Sequence, residues 1–192
     1  MNKKITTQQI VTTGLLLALE IIFQIISNYL QFGLVNINIS LVAIVMAAVL
    51  CGPLSGAVLG FFNGLITLFS PSTLAIFMPL NPVATVIVCL LKCTLAGFIA
   101  GLVYNLLKNK NKILGLIIAS VLVPIVNTGI FCIFSLIFFT PFLESVMADG
   151  NFANIGTALI LGVIGINFLI ELPTTMVLST VSGTVLLRRN KE

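Results

Sequence analysis

The sequence predicts an all-α integral membrane protein: a six-helix bundle forming one domain over residues 1–192, with N- and C-termini cytoplasmic. Three observations predict it. Composition comes first: 59% of the residues are hydrophobic and only 7% charged, with a mean hydropathy of +1.23, far from the soluble globular range. The second is spacing. Charge-free runs cover 21–91, 93–107, 113–143 and 150–170, and about 20 apolar residues suffice to cross a hydrocarbon core of about 30 Å. The third is the placement of the basic residues, which selects the number of crossings.

The first helix, 8–31, follows "MNKK", a start that resembles the basic region of a signal peptide. However, "ITTQQIVTT" separates the lysines from the apolar core, and that core carries Glu20 and Gln24. No small-x-small cleavage site leads into a soluble domain, so a retained helix is expected. Segment 39–69 would make one helix of roughly 46 Å, too long for an upright span. Gly52-Pro53 sits in its middle. Proline lacks the backbone donor and pushes the preceding residue out of helical geometry, so two helices, 38–51 and 53–70, are expected. Helices 81–107, 112–139 and 155–187 complete the set.

The break at Gly52 decides the parity of everything downstream. With six helices, Lys3, Lys4, Lys108, Lys110, Lys112, Arg188, Arg189 and Lys191 all fall on one side. With five, the 108–112 cluster and the C-terminal group face away from Lys3 and Lys4. The positive-inside rule prefers six, and it places Glu144 and Asp149 outside, in a 140–154 loop. The net charge of +4 then reports orientation; no nucleic-acid partner is expected, and membrane lipid is.

Two outer loops are unusual. Segment 70–82, "SPSTLAIFMPLNP", has Pro71, Pro79 and Pro82 around an apolar centre, while 31–38, "QFGLVNIN", is short and polar. They are either ordinary connections or lids over an outward-facing cavity, since apolar loop tips need something to cover. Gly52, Gly56, Gly60 and Gly64 form a smooth ridge on the third helix, and Gly97 and Gly101 form another on the fourth. Such faces let helices approach closely in lipid, mostly for internal packing. Gly14 and Ala18 on the first helix offer a similar face that a partner subunit could use.

Absences narrow the function. The sequence has no histidine, which excludes a Ser–His dyad, a zincin motif and a histidine haem ligand. Cys51, Cys89, Cys93 and Cys132 are scattered; Cys89 and Cys93 share a helix face, but two thiols make no metal site and read as packing residues. No Walker loop occurs, so ATP is not hydrolysed by that route, and no internal repeat stands out. Neither an enzyme activity nor a cofactor nor a metal is expected.

What remains is a polar set inside the bundle: Glu20, Asn63, Lys92, Asn127, Asn167 and Glu171. Lys92, in "VCLLKCT", is the one charge between Glu20 and Lys108. Counted from helix starts near Asn81 and Ile155, Lys92 and Glu171 lie roughly 16 and 24 Å deep at 1.5 Å per residue. Asn167 and Glu171 are four apart and share a face. Intramembrane ionisable groups default to a functional reading; the alternative here is a structural Lys92–Glu171 pair. The candidate substrate-binding set is Asn81, Lys92, Asn127, Asn167 and Glu171, with Lys92 as counter-charge to an anionic group.

Three stretches resemble the substrate-binding (S) components of energy-coupling factor (ECF) transporters. They are "LNPVATVIVCLLKCTLAGFIAGLVYNLL" for the fourth helix, "VLVPIVNTGIF" for the fifth and "INFLIELPTTMVLS" for the sixth; "GPLSGAVLGFFNGL" fits the third. The resemblance covers essentially the whole chain. It implies a six-helix protein of a bacterial cell membrane that binds a water-soluble vitamin or related micronutrient near the outer face. Helices four to six and the loops 1–2 and 3–4 would enclose the site. It implies, as partners, a transmembrane coupling protein and two cytoplasmic ATPase subunits. The family's Ala-xxx-Ala type contact with the coupling protein would fall to Gly14 and Ala18, a departure in residue type. A different class, a cell-shape scaffold component similar to the rod-shape protein D family, has the same size and lack of catalytic motifs. A scaffold has little need for polar residues near one depth or for proline-rich outer loops.

Overall fold

The computed structural model describes residues 6–29, 31–32, 35–36 and 38–189. Lys3, Lys4 and Lys191, and residues 33, 34 and 37 of the 31–38 loop, lie outside them. Helix α1 (Thr7–Tyr29) leads into a two-residue antiparallel pair, β1 (Gln31–Phe32) with β2 (Val35–Asn36), in which Gln31 opposes Asn36. Then follow α2 (Leu41–Leu50), α3 (Pro53–Leu68), a π-helical turn Thr73–Phe77 running into α4 (Met78–Leu80), α5 (Pro82–Leu107) and α6 (Lys112–Phe138). Helix α7 (Thr140–Asp149), a turn α8 (Ile155–Thr157), a π-helical stretch Ala158–Ile164 and α9 (Gly165–Arg189) complete the chain.

The fold is all-helical apart from the β1–β2 pair, as expected, but the elements are not equal. Among the described residues, four helical runs are long and apolar enough to cross a bilayer alone: Thr7–Ser27, Pro82–Leu107, Lys112–Phe138 and Ile155–Leu187. A fifth becomes available if α3 and Thr73–Leu80, bent from each other by 66°, are one broken span. The segment expected at 38–51 is instead the ten-residue α2, roughly 15 Å at 1.5 Å per residue and half a hydrocarbon core. It contacts α1, α3, α5, α6 and α9, and Leu41 through Val49 are all buried. A helix enclosed on every side needs no polar face; this is why its sequence reads like a lipid-facing span while it forms the axis of the bundle.

The break after α2 falls where the sequence places it. Gly52 has φ +103°, a conformation that side chains other than hydrogen rarely adopt, and Pro53 occupies the first turn of α3, where its missing donor costs nothing. From there the glycine ridge of α3 lies against α5. A methyl group added at Gly56 would stand 2.6 Å from the Gly97 carbonyl oxygen, and one at Gly64 2.9 Å from Leu90 Cα. One at Gly101 would stand 2.5 Å from Pro53 Cα. Backbone meets backbone along this seam, the most extensive helix pairing in the molecule. Leu41, Ile44, Val45 and Leu59 pack on Ala96, Ala100, Leu116, Ala119 and Val123 beside it.

The expected loops carry more structure than expected. Segment 70–82 is largely helical, and 140–154 contains α7 and the N-cap residue of α8. Their ends are capped locally: Asn154 Oδ1 accepts from Thr157 N at 2.9 Å, and Thr157 Oγ1 accepts from Asn154 N at 3.1 Å, the reciprocal capping box. A second core forms under them from Leu68, Ala84, Val88, Cys89 and Phe139, backed by Phe77, Phe134 and Phe142.

Candidate functional site

A cavity of about 220 Å³ opens between this second core and the helix bundle. Lys92, Asn127, Asn167 and Glu171 all line it, from α5, α6 and α9. Asn81 does not. Its Oδ1 accepts from Ala84 N at 3.1 Å, capping α5, and the residue is absent from the lining. Asn81 and Pro82 make a helix start, with the N-cap acceptor followed by proline in the first turn.

Lys92 and Glu171 form no ion pair among the described residues. The Lys92 ammonium lies over the Phe131 ring, 5.5 Å from its centroid, a cation–π placement. Glu171 is 7% exposed, and its Oε1 accepts from Asn127 Nδ2 at 3.5 Å. Asn167 Nδ2 donates to the Val163 carbonyl at 2.9 Å, in the π-helical stretch where the wider winding displaces the regular ladder. Val163 and Ile164, from the same stretch, also line the cavity.

Much of the wall was not singled out from sequence. Phe77, Phe131, Phe139, Phe142 and Phe168 supply aromatic surface. Phe77 meets Phe131, Phe139 and Phe142 edge-on, with ring centroids 5.8, 5.0 and 5.2 Å apart, the geometry that aromatic quadrupoles favour. Phe77 rides on the turn after α3, which Thr85 ties down by donating to the Phe77 and Asn81 carbonyls at 2.9 and 2.8 Å. Ser70, Ser72 and Thr73 reach the cavity from the same turn, and Asn38 from the end of the 31–38 loop. The one available signal was apolar residues between prolines in "SPSTLAIFMPLNP".

Glu20 and Asn63 belong to a second polar group, which reaches the cavity through Gln24. Both are fully buried. Asn63 Nδ2 approaches Glu20 Oε1 at 2.8 Å, Gln24 Oε1 at 3.1 Å and Ser40 Oγ. Ser40 Oγ donates to Gln24 Oε1 at 2.7 Å. Cys93 Sγ bridges the two groups, 3.1 Å from Asn63 Oδ1 and 3.2 Å from Asn127 Oδ1. Among the described residues, Glu20 Oε2 has no partner.

The partner-contact candidates sit elsewhere. Gly14 and Ala18 are exposed on α1, and a methyl group added at Gly14 would meet nothing within 4 Å. They lie on the exposed face with Leu15 and Leu19, so this small-residue face packs against no other helix of the chain.

Apolar helices long enough to cross a bilayer, with one cation, one carboxylate and several amides around a cavity between them, mark a multi-pass membrane protein. Comparison by sequence agrees. Residues 8–183 match the family model described as "ECF transporter, substrate-specific component", and the chain belongs to that family. It is a substrate-specific transport subunit rather than an enzyme, and the match decides against the scaffold reading. No curated protein matches, and no solved structure does.

Proposed function

We propose that this protein captures a water-soluble vitamin or related micronutrient at the outer face of a bacterial cell membrane. It would release that molecule inward when a transmembrane coupling protein and two cytoplasmic ATPase subunits supply the energy. One observation carries the reading. Lys92, Asn127, Asn167 and Glu171, from three separate helices, converge on one cavity of about 220 Å³, although each is costly in a membrane unless paired or wetted. Lys92 is the counter-charge for an anionic group of the substrate, and Asn127 and Asn167 are hydrogen-bonding neighbours. Glu171 lines the same cavity as a hydrogen-bond acceptor, while the phenylalanine wall takes a ring. Gly14 and Ala18 meet the coupling protein.

Mass spectrometry of small molecules retained by the detergent-purified protein tests the reading. One compound at near-stoichiometric level is expected in the wild type, and Lys92→Met should reduce it at least tenfold while the protein still folds. Full retention in the double variant Lys92→Met, Glu171→Leu would show instead that the pair is structural.

The membrane arrangement follows from charge. Six passes with cytoplasmic termini keep Lys108, Lys110 and Lys112 on the side of the terminal basic residues. Helix α2 can pass within the bundle despite its length because protein, not lipid, surrounds it. Single cysteines near Lys110 and Arg189 should be labelled only from the cytoplasm, and one near Asp149 only from outside. External labelling at 110 would refute six passes.

A further inference from the structure

With Glu20 ionised and the amides as placed, acceptors among the buried polar atoms joining it to the cavity are left without donors. Asn63 Nδ2 has two protons, yet three oxygens face it: Glu20 Oε1, Gln24 Oε1 and Ser40 Oγ. Cys93 has one S–H, yet two amide oxygens face it. Glu20 is fully buried, and among the described residues its Oε2 has no partner. No cation among the described residues is paired with it. The helices packed on α1 are α2 and α3, and neither contains a titratable residue. From α5 only Cys93 approaches, while the neighbouring Lys92 lines the cavity; beyond it, on α9, is Glu171.

A half-turn of the Asn63 amide about its last side-chain bond, which exchanges oxygen and nitrogen in place, removes both conflicts provided that Glu20 carries a proton. We propose that Glu20 is a neutral carboxylic acid at the head of a one-way line of hydrogen bonds ending on Glu171. Glu20 donates to Asn63 Oδ1, Asn63 Nδ2 to Cys93 Sγ, Cys93 S–H to Asn127 Oδ1, and Asn127 Nδ2 to Glu171 Oε1. Each link is a contact already present, at 2.8, 3.1, 3.2 and 3.5 Å, and each single donor meets one acceptor. The same half-turn of Gln24 lets its nitrogen face Asn63 and Ser40 while its oxygen accepts from Thr67 at 3.3 Å. The unpartnered Glu20 Oε2 becomes a neutral carbonyl oxygen, which tolerates burial far better than half of an unpaired charge.

The consequence reaches the cavity. Asn127 presents its N–H group to Glu171 because Cys93 holds its oxygen from behind, so Glu171 remains an acceptor beside Lys92. Glu20, Asn63 and Cys93 are thus positioning residues for the cavity and Glu20 a proton-binding site, spanning α1, α3, α5, α6 and α9. The role in the cavity rests on the proposed substrate site; the protonation of Glu20 does not.

Infrared spectroscopy of the detergent-purified protein at pH 7 tests the protonation directly through the carbonyl stretch of a protonated acid. The wild type should show this band, and 13C-glutamate labelling should shift it. It should persist in the triple variant E144Q/E171Q/E192Q, which leaves Glu20 as the one glutamate of the sequence, and disappear in Glu20→Gln. A wild type without the band overturns the proposal even if no variant folds, and so does a band that survives Glu20→Gln or vanishes in the triple variant. The positioning role has its own readout in the retained small molecule. Glu20→Gln, a neutral donor, should keep it within twofold, whereas Asn63→Leu should lose it at least tenfold in folded protein. Full retention in Asn63→Leu overturns the role in the cavity but leaves the protonation and the transport reading standing.

Discussion

The α3–α5 seam and the cavity wall are built from adjoining stretches of the same helices, yet they follow opposite rules. Along the seam, Gly56, Gly64, Gly97 and Gly101 let backbones touch, and the filling is aliphatic and alanine, with no space left over. At the cavity, irregular winding at Thr73–Phe77 and Ala158–Ile164 holds side chains apart, and phenylalanines bridge the gap. In lipid, apolar surface gains nothing by leaving the solvent, so helix association rests on close packing. The seam supplies that packing, and a cavity can then be kept open beside it. The same helix does both jobs: α5 presents Gly97 and Gly101 to α3 and, farther toward its N-terminus, Lys92 to the cavity.

The largest effect should come from filling the seam. Gly60→Leu forces a side chain against the backbone of Cys93 and Thr94, which cannot rotate away. Overpacking of this kind costs more than about 3 kcal/mol, so size-exclusion chromatography should show loss of monodisperse protein. A wild-type elution profile and melting temperature would mean that the seam opens freely and that the contrast with the cavity wall is false.

A smaller effect is expected at the wall. Phe77→Ala removes the ring that meets three others, but one side of Phe77 already faces the cavity. The cost should therefore fall to about 2 kcal/mol, below the 3–5 kcal/mol of a fully packed phenylalanine, read as a lowered melting temperature. The protein should still fold, with retention of the bound small molecule reduced. A loss as complete as that of Gly60→Leu would make the wall as rigid as the seam.

The smallest effect on the isolated protein should come from α1. Gly14→Leu adds bulk where nothing is within 4 Å, so stability should change by less than about 0.5 kcal/mol and retention should be unchanged. Uptake by the assembled transporter should fall, because the close approach of a partner helix is blocked. Equal uptake would remove Gly14 and Ala18 from the contact surface.

How much was legible can be judged residue by residue. Gly52-Pro53 announced the break after α2 because a positive φ and a missing donor are local properties. The glycine spacing announced the seam because helical periodicity is local too. Lys92, Asn127, Asn167 and Glu171 stood out because charges and amides are rare in apolar helices, and all four line one cavity. Asn81 caps α5 and is not among the residues lining that cavity; an N-cap acceptor and a site residue look alike until their partners are known. Helix α7 was missed because Glu144 and Asp149 made 140–154 read as a loop, and the phenylalanine wall because apolar residues in an apolar sequence carry no contrast.

The sequence by itself determined the class of protein, the longer helical segments to within a few residues and the polar residues that had to be sheltered. These follow from composition and from interactions a few residues apart. Only the tertiary structure decided that α2 is a short axis enclosed by five helices, that Phe77 and Phe139 close a cavity around Lys92, and that Cys93 links Glu20's group to Glu171's. Each of those facts depends on which helices become neighbours. That choice is made by packing between residues far apart in the chain, and no local pattern records it.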